Sequence, residues 1–189
     1  VGLALCWPRP VLLVEADPTG GSAISAGYLR GGTAPTDSLI DLAFAHRDGT
    51  LVDAIPSVTT SFPDTDVTLI PGTRAHGQAR SLAGLWEPLT AALRSLDALG
   101  QDVIVDAGRL GLVGSPEPLV HGADLTLLVT RSDLVALSGA RSWAQTLRAR
   151  FEEQGEAAGL GLLMVGESRP YSTREVCAVL SLPVTAAVA

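Results

Sequence analysis

The stretch VLLVEADPTGG, residues 11–21, sets an unbroken aliphatic run against two carboxylates, a proline and a glycine pair. Val and Leu without polar alternation suit a strand covered on both faces, as parallel strands are. Glu15 and Asp17 then leave that strand at its carboxyl end. Taken alone, Asp17 before Pro18 also reads as a helix start, with Asp as N-cap and Pro at the first position. Glu15 alone reads as a strand-end carboxylate turning toward water. The rest of the chain has to separate these readings.

Similar apolar runs occur at 67–70, 103–105, 125–129 and 160–165, with a further candidate at 183–188. Helical patterns lie between them. Leu82, Leu85, Trp86, Leu89, Leu93, Leu96 and Leu99 recur at three- and four-residue steps and stop at Gly100, which predicts a helix closed by a glycine. Leu134, Leu137, Ala140, Trp143, Ala144, Leu147 and Phe151 do the same, with Ser132 or Asp133 as N-cap. A shorter helix is expected from Ser172 or Thr173 to Leu180, and residues 1–7 read as the end of a helix with no strand feeding it. Strands alternating with helices predict an α/β fold: three layers, doubly wound, a mostly parallel sheet with helices on both faces. Ligands then belong at the carboxyl ends of the strands. Residues 31–66 are the least regular part, with a helical candidate at 39–45, and read as a surface excursion.

A chain of 189 residues can bury one sizeable core, so a single domain over 1–189 is expected. The net charge is −7, and all 13 basic residues are arginine. That balance opposes non-specific attraction to nucleic acid, and Arg141, Arg148 and Arg150 read as a solvated helix face. No apolar run approaches the roughly 20 residues that cross a bilayer, and no charged and apolar leader pattern opens the sequence, so the cytoplasm is the expected compartment. Cys6 and Cys177 lie far apart in apolar contexts and read as two buried thiols. His46, His76 and His121 show no metal-ligand spacing and read as surface or loop residues.

A second acid closes the strand in DVIVDAGRLG, residues 102–111: Asp106, before Ala107 and Gly108. In a parallel sheet Asp17 and Asp106 emerge on the same carboxyl edge. A hard cation carrying phosphate oxygens is held there by one or two carboxylates. One acid can hold magnesium through water while another orients an attacking water, as phosphoryl transfer requires.

VLLVEADPTGG resembles the VLLVDADPQG segment of the MinD/ParA deviant-Walker ATPases, and QDVIVDAGRLG is similar to their Walker B strand, DYVIIDTPPG. HGADLTLLVTRSDLVALSGA, residues 121–140, resembles their following strand and helix, and GLLMVGESRPYSTREVCAVLSLPVTAAVA, residues 161–189, their late strand, helix and strand. The resemblance spans almost the whole chain in order. It implies a P-loop NTPase-like fold with ATP and magnesium as cofactors of the complete protein. It further implies a homodimer, a partner protein, and a role in positioning a cargo such as a chromosome, a septum or a pilus or secretion machine in bacteria. By position, Asp17 matches the switch I aspartate that positions the hydrolytic water, and Asp106 the Walker B aspartate that holds magnesium through water. Glu15 stands where the family mostly has an aspartate beside the metal. Gly20 and Gly21 match the flexible switch I segment, and Gly108 and Arg109 replace the paired prolines of switch II.

The family's phosphate loop, KGGxGKT/S, has no counterpart here, nor does any lysine. The chain is expected to begin just past that loop. Two acids without a phosphate cradle repel ATP, so neither tight nucleotide binding nor hydrolysis is expected of this chain as it stands. The alternative is a pseudo-ATPase serving as an interaction scaffold. A phosphoacceptor receiver needs a lysine that is missing, DPTGGS is not G-x-G-x-x-G, and Ser115 lacks a nucleophile elbow.

Overall fold

Strand β1 (Val11–Glu15) is buried along its whole length, and its side chains divide between two cores. Leu12 and Val14 join Leu39, Leu42, Ile55 and Leu89, while Val11 and Leu13 join Ala4, Ile24 and Phe62 on the other face. Coverage on both faces is why the sequence of this strand carries no alternation. Each fully buried Val or Leu contributes about 1.5–3 kcal/mol relative to exposure. The structure, a computed structural model, describes residues 1–22, 24–28, 38–166 and 170–188. It divides into two units, Val1–Val120 and His121–Ala189, each built on a sheet of its own.

In the first unit α1 (Gly2–Leu5) precedes β1, and the later elements are α2 (Leu39–Arg47), α3 (Leu51–Val58), β2 (Thr60–Ser61), β3 (Val67–Ile70), α4 (Trp86–Arg94), β4 (Asp102–Asp106) and α5 (Glu117–His121), the last at the unit's end. The sheet order is β2-β3-β1-β4. Val11 pairs with Val67 and, on the other side, with Asp102, both in parallel, so the carboxyl ends of β1, β3 and β4 share one edge. Among the described strands only the two-residue β2 runs antiparallel, beside β3. Helix α2 is closed at its start by reciprocal bonds: Ile40 N donates to Ser38 Oγ at 3.3 Å and Ser38 N to Asp41 Oδ2 at 2.8 Å.

The second unit holds β5 (Thr126–Thr130), β6 (Leu160–Val165) and β7 (Val184–Val188), all parallel in the order β5-β6-β7. Helix α6 (Leu134–Glu153) buries Leu137, Ala140, Ala144, Leu147 and Phe151 at steps of three and four, and Asp133 caps it by accepting from Ala136 N at 2.9 Å. Helix α7 (Thr173–Leu180) starts at Ser172, which with Glu175 forms a reciprocal cap. Arg141, Arg148 and Arg150 are exposed; Arg148 pairs with Glu152 at 3.5 Å.

Four expectations change. The helix expected over 82–99 is α-helical only from Trp86 to Arg94, followed by a 3-10 turn, Ser95–Leu99, that ends on left-handed Gly100. Pro88 sets the start: it lacks an N–H and its ring collides with the carbonyl four residues back, so it must sit in the first turn. Within 31–66, residues 31–37 lie outside the described residues, while α3 and β2 are ordered elements. Pro56 inside α3 disguises a helix that Leu51, Ile55 and Val58 nevertheless bury. The helix at the start covers only Gly2–Leu5. Cys6 is exposed rather than buried, because it follows a four-residue helix whose buried residue is Ala4; Cys177 is half-buried, and both thiols are free. Among the described residues no helix is long and apolar enough to cross a membrane.

Candidate functional site

The parallel register sets Glu15 opposite Asp106 at the carboxyl ends of β1 and β4. Just beyond, Ala16 N donates to the Asp106 carbonyl at 2.8 Å, which keeps the two chains together as they leave the sheet. Asp17 follows in a tight turn, its Oδ1 accepting from Thr19 N at 2.8 Å. The turn leads neither into a helix at Pro18 nor away from β4.

Gly108 joins the two aspartates. Its N–H donates to Asp106 Oδ1 at 3.0 Å. Its backbone is left-handed, with φ at 66°, and a Cβ placed there would lie 2.5 Å from Cβ and Oδ1 of Asp17. One residue without a side chain therefore bonds to one carboxylate and rests against the other. Asp106 is exposed and Asp17 half-buried, so both carboxyls lie at a surface that solvent reaches. Gly20 and Gly21 continue the loop after Asp17, both with positive φ. Arg109 is exposed and pairs with no carboxylate among the described residues.

Glu15 is different in kind. It is buried, Oε1 accepts from Ser22 Oγ at 2.7 Å, and Oε2 accepts from Gly72 N at 3.4 Å. Burial pushes its carboxyl above the ordinary value of 4.5; the hydrogen bonds from Ser22, Gly72 and Ile24 oppose the rise, and the Asp106 charge adds to it. The resemblance places a metal beside this position. Both oxygens turn inward onto protein donors, Oε1 toward Ser22 and Oε2 toward Gly72.

Asp106 does fit magnesium. Its carboxyl is exposed, and one oxygen is anchored by Gly108 while the other takes no hydrogen bond from the described residues. Among the described residues no three His, Cys, Asp or Glu side chains gather closely enough to hold a metal by themselves. Magnesium characteristically takes one or two carboxylates and draws its remaining ligands from water and phosphate.

Ser22, Gly72 and Thr73 also belong to this edge and were not anticipated. Gly21 N donates to the Thr73 carbonyl at 3.1 Å, so the segment after β3 holds the loop after β1. The signal was present in Pro71-Gly72, a turn dipeptide directly after an aliphatic run. Its place beside Glu15 follows once β3 is known to neighbour β1.

No protein-family model and no curated protein sequence matches this chain. Solved structures do match in fold. A ParA family ATPase from Chlorobium tepidum TLS superposes with a TM-score of 0.67 at 18% identity, over 98% of this chain and 73% of the other. The septum site-determining protein MinD from Pyrococcus horikoshii OT3, complexed with Mg-ADP, gives 0.64 at 16% identity over 95% and 68%. An ATP complex of Cyanothece McdA gives 0.67 at 16% identity over 99% and 74%. The chain has the α/β fold that these MinD/ParA-type structures share.

Proposed function

We propose that a chain with this fold works as a nucleotide-switched ATPase of the MinD/ParA kind, dimerising on ATP and positioning a cellular cargo through a partner protein in the cytoplasm. The observation that carries the reading is the meeting of Asp17 and Asp106 at Gly108, on the carboxyl edge of two parallel strands. Asp106 would hold the magnesium ion, and Gly108 N–H fixes the carboxylate that would do so. When bound, the metal neutralises charge on the phosphate oxygens during transfer. Asp17 orients the attacking water, and Gly20 and Gly21 supply the left-handed turns that carry its loop past the segment after β3. Arg109, exposed beside Gly108, is placed where a phosphate or a second subunit could meet it. The chain's acidity supports a protein partner over nucleic acid.

The 189 residues include no lysine to offset the phosphate charge. We expect this chain alone to release no phosphate from ATP in a malachite-green assay; steady turnover would contradict that. The complete gene product is the test of the function. Titrated with Mn2+ and ATP and followed by the EPR signal of free Mn2+, it should bind the pair, and D106N should weaken binding about tenfold or more, the scale of one charge-assisted contact. No binding in the wild type would favour the scaffold reading instead.

A further inference from the structure

Glu15 is the one buried acid among the described residues, and its two oxygens reach two different segments. Oε1 takes the hydroxyl of Ser22, at the far end of the loop that begins with Asp17; Oε2 takes the N–H of Gly72, the second residue after β3. Around this bridge the two segments touch twice more. Gly21 N donates to the Thr73 carbonyl at 3.1 Å, and a Cβ on Gly20 would lie 2.5 Å from the backbone of Ala75 and His76. The loop of residues 17–22 is thus fastened to residues 72–76, with Glu15 at the root of the attachment.

We infer that Glu15 is a positioning residue: it latches the Asp17 loop to the segment after β3 and thereby sets where the Asp17 carboxylate stands, and it is not a metal ligand. The role explains its length. An aspartate is shorter by one carbon–carbon bond, about 1.5 Å, and from the end of β1 cannot span both Ser22 and Gly72. It explains the burial as well, since a carboxylate meant for a cation gains nothing by turning inward to a hydroxyl and an amide. The catalytic consequence rests on Asp17 orienting the attacking water; the latch itself does not.

Hydrogen–deuterium exchange read by mass spectrometry tests the latch, because the Gly21 amide is bonded across it. In E15A, E15D and S22A, exchange of peptides covering 17–22 should quicken about ten- to a hundredfold, the scale of losing a hydrogen bond to a charged group. The double variant E15A/S22A should be no faster than E15A, since E15A already cuts the bond that S22A removes. E15Q should stay within about threefold of wild type, because its amide oxygen still accepts from Gly72 while its NH2 donates to the Ser22 hydroxyl. S22A removes only a hydroxyl, so it answers even where E15A fails to fold. Unchanged exchange in S22A, or multiplying effects in the double variant, would overturn the latch. In the complete gene product, S22A should lower single-turnover cleavage of Mg-ATP with little change in apparent affinity. A wild type that cleaves no ATP would overturn the ATPase reading, while the exchange result would still decide the latch.

Discussion

Replacing Gly108 with alanine probes the meeting of the two aspartates most sharply, and Gly100 supplies the control. Both glycines are left-handed, at φ 66° and 74°, so an alanine at either carries the same backbone cost of roughly 1–2 kcal/mol. The surroundings differ. A Cβ on Gly100 meets nothing within 4 Å, whereas one on Gly108 lies 2.5 Å from Asp17 Cβ and Oδ1. Carbon atoms pack at about 3.5–4.0 Å, so in G108A the Asp17 side chain must retreat by about 1 Å. If the loop resists, overpacking adds about 1–3 kcal/mol. If it yields, the cost appears as loosening of the loop instead. Urea unfolding of wild type, G100A and G108A, with exchange at the Gly21 amide, reads both outcomes. G108A should be less stable than G100A by about 1 kcal/mol or more, or should quicken exchange in the Asp17 loop where G100A does not. Equal stabilities with undisturbed exchange would mean that Asp17 does not rest on Gly108.

Two other outcomes follow from the same structure. The Glu15 carboxyl is raised in the folded state by burial, so its contribution to stability is complete below about the ordinary value of 4.5 and is lost as pH rises through the folded value. E15Q, which does not titrate, should match the pH dependence of wild type only below that point and gain on it at higher pH; parallel curves from pH 4 to 8 would contradict this. At the other end of the chain, Ser172 accepts from Glu175 N at 3.4 Å as the cap of α7, and S172A should cost about 1 kcal/mol in urea unfolding; no change would remove the cap from the account.

Much of this was legible in the residues. The unbroken Val and Leu of β1 gave away a strand covered twice, and Asp17 and Asp106 could be placed on one edge because parallel strands share their carboxyl ends. Asp133 and Ser172 announced the starts of α6 and α7 through their side-chain chemistry. What escaped was set by neighbours distant in the chain. Glu15 looks like any strand-end acid until β3 is known to lie beside β1, which brings Gly72 under one oxygen and lets the loop return Ser22 to the other. Pro56 and Pro88 misled in opposite ways. The first suggests a loop where apolar burial outweighs one missing hydrogen bond, and the second lies hidden within a strong helical period whose start it delays. Cys6 appeared buried because its sequence neighbours are apolar, yet so short a helix cannot bury all of its sides.

Single-turnover cleavage of ATP by the complete gene product, measured beside nucleotide affinity, bears most directly on the roles of the two aspartates. We predict that D17A binds Mg-ATP about as well as wild type but cleaves it at least a hundredfold more slowly, while D106N loses metal-dependent binding itself. Cleavage left intact by both substitutions would contradict the assignment of this sheet edge as the place where the phosphoryl group is transferred.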